Sequence, residues 1–222
     1  TLKITPIVNS VVDNVRTIRR EFGGCDVRKH LDTIIPRMDL AIDAEKWQSV
    51  DWGLRERVLW DIIHRSNDLP QEYPVCEGVT IPTGSRKKTI VAHIRHILIG
   101  PSCDDVGARY DPVGCGFEGL PFYLQQSLDG MDESTKKECL SNVVLSGGLT
   151  MIPEFADRLA YEMEALYGGS TKINIVAKED RWHHVFQGGS IMGSMTYVDK
   201  MWVTKDDYDE FGPPILRRRC VF

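Results

Sequence analysis

The chain has 222 residues, of which 42 % are hydrophobic and 27 % charged, and its net charge is -5. That length and balance fit one large globular domain or two small ones with a sizeable buried core. They speak against a general nucleic-acid binder, and no apolar run approaches the roughly 18 residues that a membrane helix needs.

Cysteines stand at Cys25, Cys76, Cys103, Cys115, Cys139 and Cys220, with no CxxC pair among them. This spacing suits neither a zinc ribbon nor a disulfide scaffold. It predicts reduced, mostly buried thiols and a reducing compartment, the cytoplasm first and the nucleus as the alternative. There is no signal-peptide pattern. Because the chain begins with Thr1, it reads as a fragment, a processed product or a portion of something longer.

In chain order, Leu2 to Val8 is β-branched and alternating and predicts a strand. A second alternating stretch lies near Val15 to Ile18, and Gly23-Gly24 then breaks the chain. Asp26 is a helix-cap candidate, with Val27, Leu31 and Ile34 on one helical face. Trp47 to Ile63 carries Trp52, Val58, Leu59, Ile62 and Ile63 and supports a helix over its second half. Val79 to Gly84 reads as a strand entering a turn, and residues 100–118 as loop. Val143-Val144-Leu145 predicts a short buried strand followed at once by Ser146-Gly147-Gly148. Pro153 opens a helix through about Leu166, with Phe155, Leu159, Met163 and Leu166 on one face, and Gly168-Gly169 stops it. Lys172 to Ala177 reads as another strand, and Gln187-Gly188-Gly189-Ser190 as the start of a further helix. Strands alternating with helices predict an α/β domain with a layered sheet.

A strand, two glycines and a helix start form an anion-binding geometry. Glycine lets the backbone approach a ligand, and the helix start offers unpaired N–H groups. A glycine pair is weak as a signal when it stands alone. Here the segment Asn142-Val-Val-Leu-Ser-Gly-Gly-Leu-Thr-Met-Ile-Pro153 closely resembles the adenosine-motif segment of the actin family. Phe186-Gln-Gly-Gly-Ser-Ile-Met192 stands in the place of that family's second glycine pair. Met201-Trp-Val-Thr-Lys-Asp-Asp-Tyr-Asp-Glu-Phe-Gly212 and Pro214-Ile-Leu-Arg-Arg-Arg-Cys-Val-Phe222 resemble its ending and its tail. The resemblance is strong over 140–222 and weaker over 1–139, where Ile4-Thr5-Pro6-Ile7 and Gly24-Cys25-Asp26 carry it.

The resemblance implies the carboxy-terminal half of a diverged actin-like α/β fold. Residues 1–23 and 95–182 would form the large-domain core, 24–94 a smaller inserted subdomain, and 183–222 a segment returning to the small domain. It implies Mg-ATP or ADP as cofactor, with Gly24, Gly147, Gly148, Met151 and Trp182 as the nucleotide contacts carried over. It carries over no catalytic residue and no metal ligand. Lys3 stands where the family has a His that helps organise the attacking water. Ile63-His64 stand where it has a Lys-Glu pair, and Trp182 stands in place of a Lys near adenine. The retained glycines therefore read as structural before they read as ligand-binding. The expected function is that of a structural subunit of a cytoskeletal or chromatin-associated assembly without ATP turnover, and the alternative is an ATP-binding, filament-forming divergent actin. Ile191, Met192, Met201, Trp202, Val203 and Phe222 would lack packing partners unless a complementary amino-terminal half, or a surrogate, covers them. The expected partners are therefore proteins, other subunits of a complex or filament, with no membrane and no direct nucleic acid. A sugar-kinase or heat-shock-ATPase reading is disfavoured by the tail from Trp202 onward.

Elsewhere, His93 and His96 would share a helix face and make a weak metal candidate. Ser146 lacks a nucleophile-elbow context. Asp104-Asp105 read as solvated charge within a loop that would serve as a partner contact.

Overall fold

A computed structural model describes residues 1–37, 44–65, 70–76, 79–81, 83–100, 117–168, 171–196, 198 and 202–219. Residues 101–116, most of the stretch expected to be loop and including Asp104-Asp105, lie outside the described residues, as do Met201 and Phe222. The chain divides into two compact units, Thr1–Arg181 and Trp182–Phe222.

The first unit opens with β1 (Leu2–Ile4), β2 (Ile7–Val8), β3 (Val11–Val12) and β4 (Ile18–Arg20). The single strand expected over 2–8 is broken at Thr5-Pro6. Ile7-Val8 instead fold back on Val11-Val12 as a hairpin, with Ile7 opposite Val12. The two turn residues, Asn9 (φ 51°) and Ser10 (φ 63°), both take the positive φ that a primed hairpin turn demands. β1 pairs antiparallel with β4, Lys3 opposite Arg19.

Helix α1 (Gly24–Ile34) begins two residues before Asp26. Asp26 lies in the first turn and accepts the Gly23 N–H at 2.9 Å, so it satisfies an orphan donor from inside the helix. Val27 and Leu31 are fully buried, as their spacing predicts. α2 (Ala44–Ser49) and α3 (Trp52–His64) follow. The Asp51 carboxylate caps α3 by accepting the Gly53 N–H at 2.8 Å. Val58, Leu59, Ile62 and Ile63 are all buried, whereas Trp52 lies outside that face and sits under the Arg55 guanidinium at 5.3 Å.

The hairpin β5 (Tyr73–Cys76) and β6 (Val79–Ile81) leads into α4 (Thr83–Ile99). The turn expected at Thr83-Gly84 is the first turn of this helix. Its apolar face begins only at Ile90 and runs through Ile94 and Ile97. α5 (Leu120–Leu128) and α6 (Glu133–Leu140) complete the helical layer, in which α1 packs on α3 and α4, and α4 on α5 and α7 (Phe155–Tyr167). Gly119, the residue before α5, lies against the end of α4 at φ 93°, and a Cβ there would stand 2.4 Å from the Ile99 carbonyl oxygen. Only glycine fits such a close approach.

β7 (Val143–Val144) runs parallel to β8 (Ile175–Val176), with α7 as the crossover between them. α7 begins at Phe155, so Pro153 precedes the helix and does not occupy its first turn. Phe155, Leu159 and Met163 are buried, while Leu166 is 47 % exposed and falls outside the apolar face. Gly168 ends the helix in the left-handed conformation. Among the described residues the strands form four two-stranded pieces in place of one layered sheet. Of the described cysteines, Cys25 and Cys76 are exposed and Cys139 is half-buried, so mostly buried thiols are not what these three show. Cys25 falls in the first turn of α1 and Cys76 in a short hairpin, away from either apolar face.

Tyr73 links β5 to α3 through its phenol, which donates to the Asp61 carboxylate. Burial, then that hydrogen bond, push its ionisation up to about 12. A raised tyrosine pKa stabilises the fold below the unfolded value near 10, and this contribution is lost as pH rises from about 10 to 12. The gap in urea midpoint between the native chain and Tyr73→Phe is therefore expected to shrink from pH 9 to pH 11.5.

The second unit holds α8 (His184–Gly193), α9 (Lys205–Phe211) and α10 (Pro214–Arg219). Gly188 and Gly189 lie inside α8 and do not start it, since His183 is the cap residue and neither glycine has a positive φ. The Thr204 hydroxyl accepts the Asp207 N–H at 3.1 Å and the Asp207 carboxylate accepts the Thr204 N–H at 3.2 Å, a reciprocal cap for α9. Ile215 is the buried anchor of α10.

Candidate functional site: the glycine turn after β7

The turn at Ser146-Gly147-Gly148 leaves the carboxyl end of β7, the end at which α/β sheets place their ligands. Gly147 has φ 102° and ψ 155°, a region in effect reserved for glycine. A Cβ on Gly147 would meet nothing within 4 Å, so the backbone angle and not crowding requires the glycine. Gly148 to Met151 then form a single 3-10 turn, and two further residues separate it from α7's cap Glu154. The expected glycine pair at a long helix's start is thus a glycine pair at a short turn.

Several polar groups of this turn bond within the chain. The Gly147 N–H donates to the Arg181 carbonyl at 3.0 Å, and the Gly147 carbonyl accepts from the Thr150 N–H at 3.1 Å and the Thr150 hydroxyl at 2.8 Å. The Arg181 guanidinium reaches back across 31 residues. Its Nη2 donates to the Thr150 carbonyl at 2.6 Å, its Nε to the same carbonyl at 3.2 Å and to Thr150 Oγ1 at 3.1 Å, and its Nη1 to the Lys178 carbonyl at 2.7 Å. One planar cation therefore fastens the turn after β7 to the turn after β8, a use that suits the fixed fork of arginine. Ser146 Oγ donates to the Arg181 carbonyl at 3.3 Å, which gives it a structural partner and no base.

Of the residues singled out in the sequence, Gly147, Gly148 and Met151 come together in this turn. Gly24 stands at the first position of α1 with an ordinary φ, and it is Gly23, not Gly24, that a Cβ would crowd, at 2.7 Å from the Thr1 nitrogen. Lys3 is exposed in the middle of β1. Ile63 is 2 % exposed and serves the core. The side chain of His64 lies outside the described residues. Trp182 opens the second unit, 56 % exposed, with its ring centroid 3.7 Å from that of His183. The open space beside Gly147 would admit a ligand, yet the turn's amides at 147 and 150 are already committed. The residues thus fit a nucleotide only in part.

Arg181 and Thr150 are the residues that sequence reasoning missed. Nothing in Glu179-Asp180-Arg181-Trp182 distinguishes this arginine from a surface one. His93 and His96 border a recess of about 370 Å³ beside Arg95 and Arg158, cations that pair with Glu154 and Glu162. Burial and the nearby His93 hold the His30 pKa below its usual value. Among the described residues no three His, Cys, Asp or Glu side chains group as a metal site, and no helix is long and apolar enough to cross a membrane.

Comparison with known protein families gives a match between residues 99–221 and the family model described as Actin. The matched stretch contains β7, the glycine turn, the Arg181 clamp and the second unit up to residue 221.

Proposed function

Since that match covers more than half of the chain, the chain belongs to the actin family, in its carboxy-terminal half and with an actin-like α/β fold, and we propose that it works as a structural subunit of a larger protein assembly, with an eroded nucleotide site and no ATP turnover of its own. The observation that carries this reading is the apolar exposure of the second unit. Val185 (79 %), Phe186 (77 %), Ile191 (58 %) and Met192 (50 %) are exposed, with Phe211 and Leu216 also exposed. A soluble protein rarely leaves so many large apolar side chains uncovered unless another protein covers them. A complementary amino-terminal half of the fold, or a surrogate, would do so.

The glycine turn supports the other part of the proposal. The Gly147 backbone angle and the Arg181 hydrogen bonds both shape it from within the chain, which is what supports the reading. Lys3 supplies no neutral relay, and Ile63 supplies no polar contact where the family has a Lys. Any nucleotide contact through Gly24, Gly147, Gly148, Met151 and Trp182 would be residual, and ATP or ADP with Mg would be a bound passenger without turnover. The assembly belongs in the cytoplasm, with the nucleus as the alternative.

The test is gentle purification of the assembly, native mass spectrometry and a phosphate-release assay with Mg-ATP. A defined complex of several different chains and no phosphate release are expected. Measurable hydrolysis would sink the proposal, and a homogeneous ladder of nucleotide-bound copies would establish a filament-forming actin instead.

A further inference from the structure

The recess of about 370 Å³ between α4 and α7 shares no residue with the glycine turn or the second unit. Ala92, Arg95, His96 and Ile99 follow one another at helical spacing and form one stripe of α4. His93 borders that stripe, and Arg158 of α7 closes the opposite side. Every titratable side chain of the described lining is therefore a base, two arginines and two histidines. The volume lies within the roughly 300–1,000 Å³ usual for small-ligand sites.

The two arginines are held differently. Arg158 pairs within α7 with Glu162 at 2.5 Å, and the Glu162 side chain is only 5 % exposed. A buried carboxylate that lost its cation would be left charged and unpaired, so this pair is fixed. Arg95 pairs with Glu154 of the neighbouring element, whose side chain is 69 % exposed. Water replaces a cation at such a carboxylate at little cost. Arg95 is thus covered by an acid that can leave, and Arg158 by one that cannot.

This difference selects the ligand. A carboxylate arriving from solvent would gain nothing by displacing Glu154, because it offers Arg95 the same two oxygens and the same single charge. A phosphate group carries a charge near −2 and three acceptor oxygens. It can take the Arg95 fork and, at the same time, N–H groups of Arg158 that Glu162 does not use, since a guanidinium has five donors. His93 and His96 bring imidazole nitrogens to the same wall. We propose that the recess is a binding site for a phosphate group presented from solvent, gripped between Arg95 of α4 and Arg158 of α7 with Glu154 displaced. The site stands apart from the function proposed above and does not depend on it.

The probes are inorganic phosphate and three acetylated, amidated glycine peptides that differ only in a central phosphoserine, aspartate or serine. Affinities are read by calorimetry on the full chain. The phosphoserine peptide is expected to bind at least about tenfold more tightly than the aspartate peptide. Inorganic phosphate binding as tightly as that peptide would make the free ion the ligand, and weaker binding would make it a phosphorylated chain; both support the site. Arg95→Ala is expected to weaken phosphopeptide binding by about tenfold, and Arg95→Lys to restore only part of the loss. Glu154→Gln removes the competing carboxylate and is expected to tighten binding by about threefold or more. Glu133→Gln makes the same change of charge on α6 and is expected to leave binding unchanged. Equal affinity for the phosphoserine and aspartate peptides, equal tightening by the two glutamine variants, an affinity unaltered in Arg95→Ala, or no phosphate bound at all would overturn the site.

Discussion

Trp47→Ala is expected to lower the free energy of unfolding by about 3–5 kcal/mol, read as a fall in denaturant midpoint. Trp47 is fully buried although it belongs to a helix of only six residues. A helix so short has no stability of its own and takes its place from tertiary contacts. Trp47 supplies that contact twice, through its ring in the core and through its indole N–H, which donates to Asp32 at 2.8 Å. The Asp32 carboxylate is also held by Arg55 at 3.1 Å, so the substitution opens a cavity and strips one bond from a mostly buried ion pair. Trp47→Phe keeps most of the apolar volume and loses the donor, and is expected to cost about 1.5–3 kcal/mol, the range for a hydrogen bond to a charged group. The shape of the transition carries further information. One cooperative transition shifted as a whole would place residues 24–94 in the same folding unit as 95–181. An early, separate transition would make 24–94 the independent inserted subdomain that the family resemblance implies.

Trp47 also marks how far the sequence could be read. Helices α1, α3 and α7 were legible because Val27 and Leu31, Leu59 and Ile62, and Leu159 and Met163 each repeat at helical spacing and are buried where that spacing puts them. Leu166 and Trp52 satisfied the same pattern and are exposed, since periodicity cannot tell where a neighbouring element stops covering a helix. α4 was hidden by its polar start, Thr83 to Lys88, which imitates a turn, although Ile90, Ile94 and Ile97 carry a regular face. The hairpin at Asn9-Ser10 was missed because neither residue is glycine, yet both take positive φ. At the candidate site the glycines were legible, since glycine reports on the local backbone. Their fixing was not, because it depends on a guanidinium brought in from 31 residues away.

Arg181→Ala is expected to cost about 2–3 kcal/mol, the value of one or two charge-assisted hydrogen bonds once non-additivity is allowed for. The guanidinium donates to two backbone carbonyls of different turns, Thr150 and Lys178, at 2.6 and 2.7 Å, so its loss frees both turns together. Arg181→Lys keeps the charge but not the planar fork, and is expected to recover less than half of the loss. Gly147→Ala supplies the independent control. It has open space for its Cβ, so its cost of about 1–3 kcal/mol would be backbone strain alone. The two sites share a turn through the Gly147 N–H bond to the Arg181 carbonyl. A double-mutant cycle is therefore expected to give a coupling of about 0.5 kcal/mol or more. The same variant decides what the turn is for. If the clamp replaces a nucleotide as the element that shapes the loop, saturating Mg-ATP will leave the unfolding midpoint of Arg181→Ala where it is. If ATP restores the midpoint, ligand binding is stabilising the native state by mass action, and the clamp and a bound passenger nucleotide act on one loop.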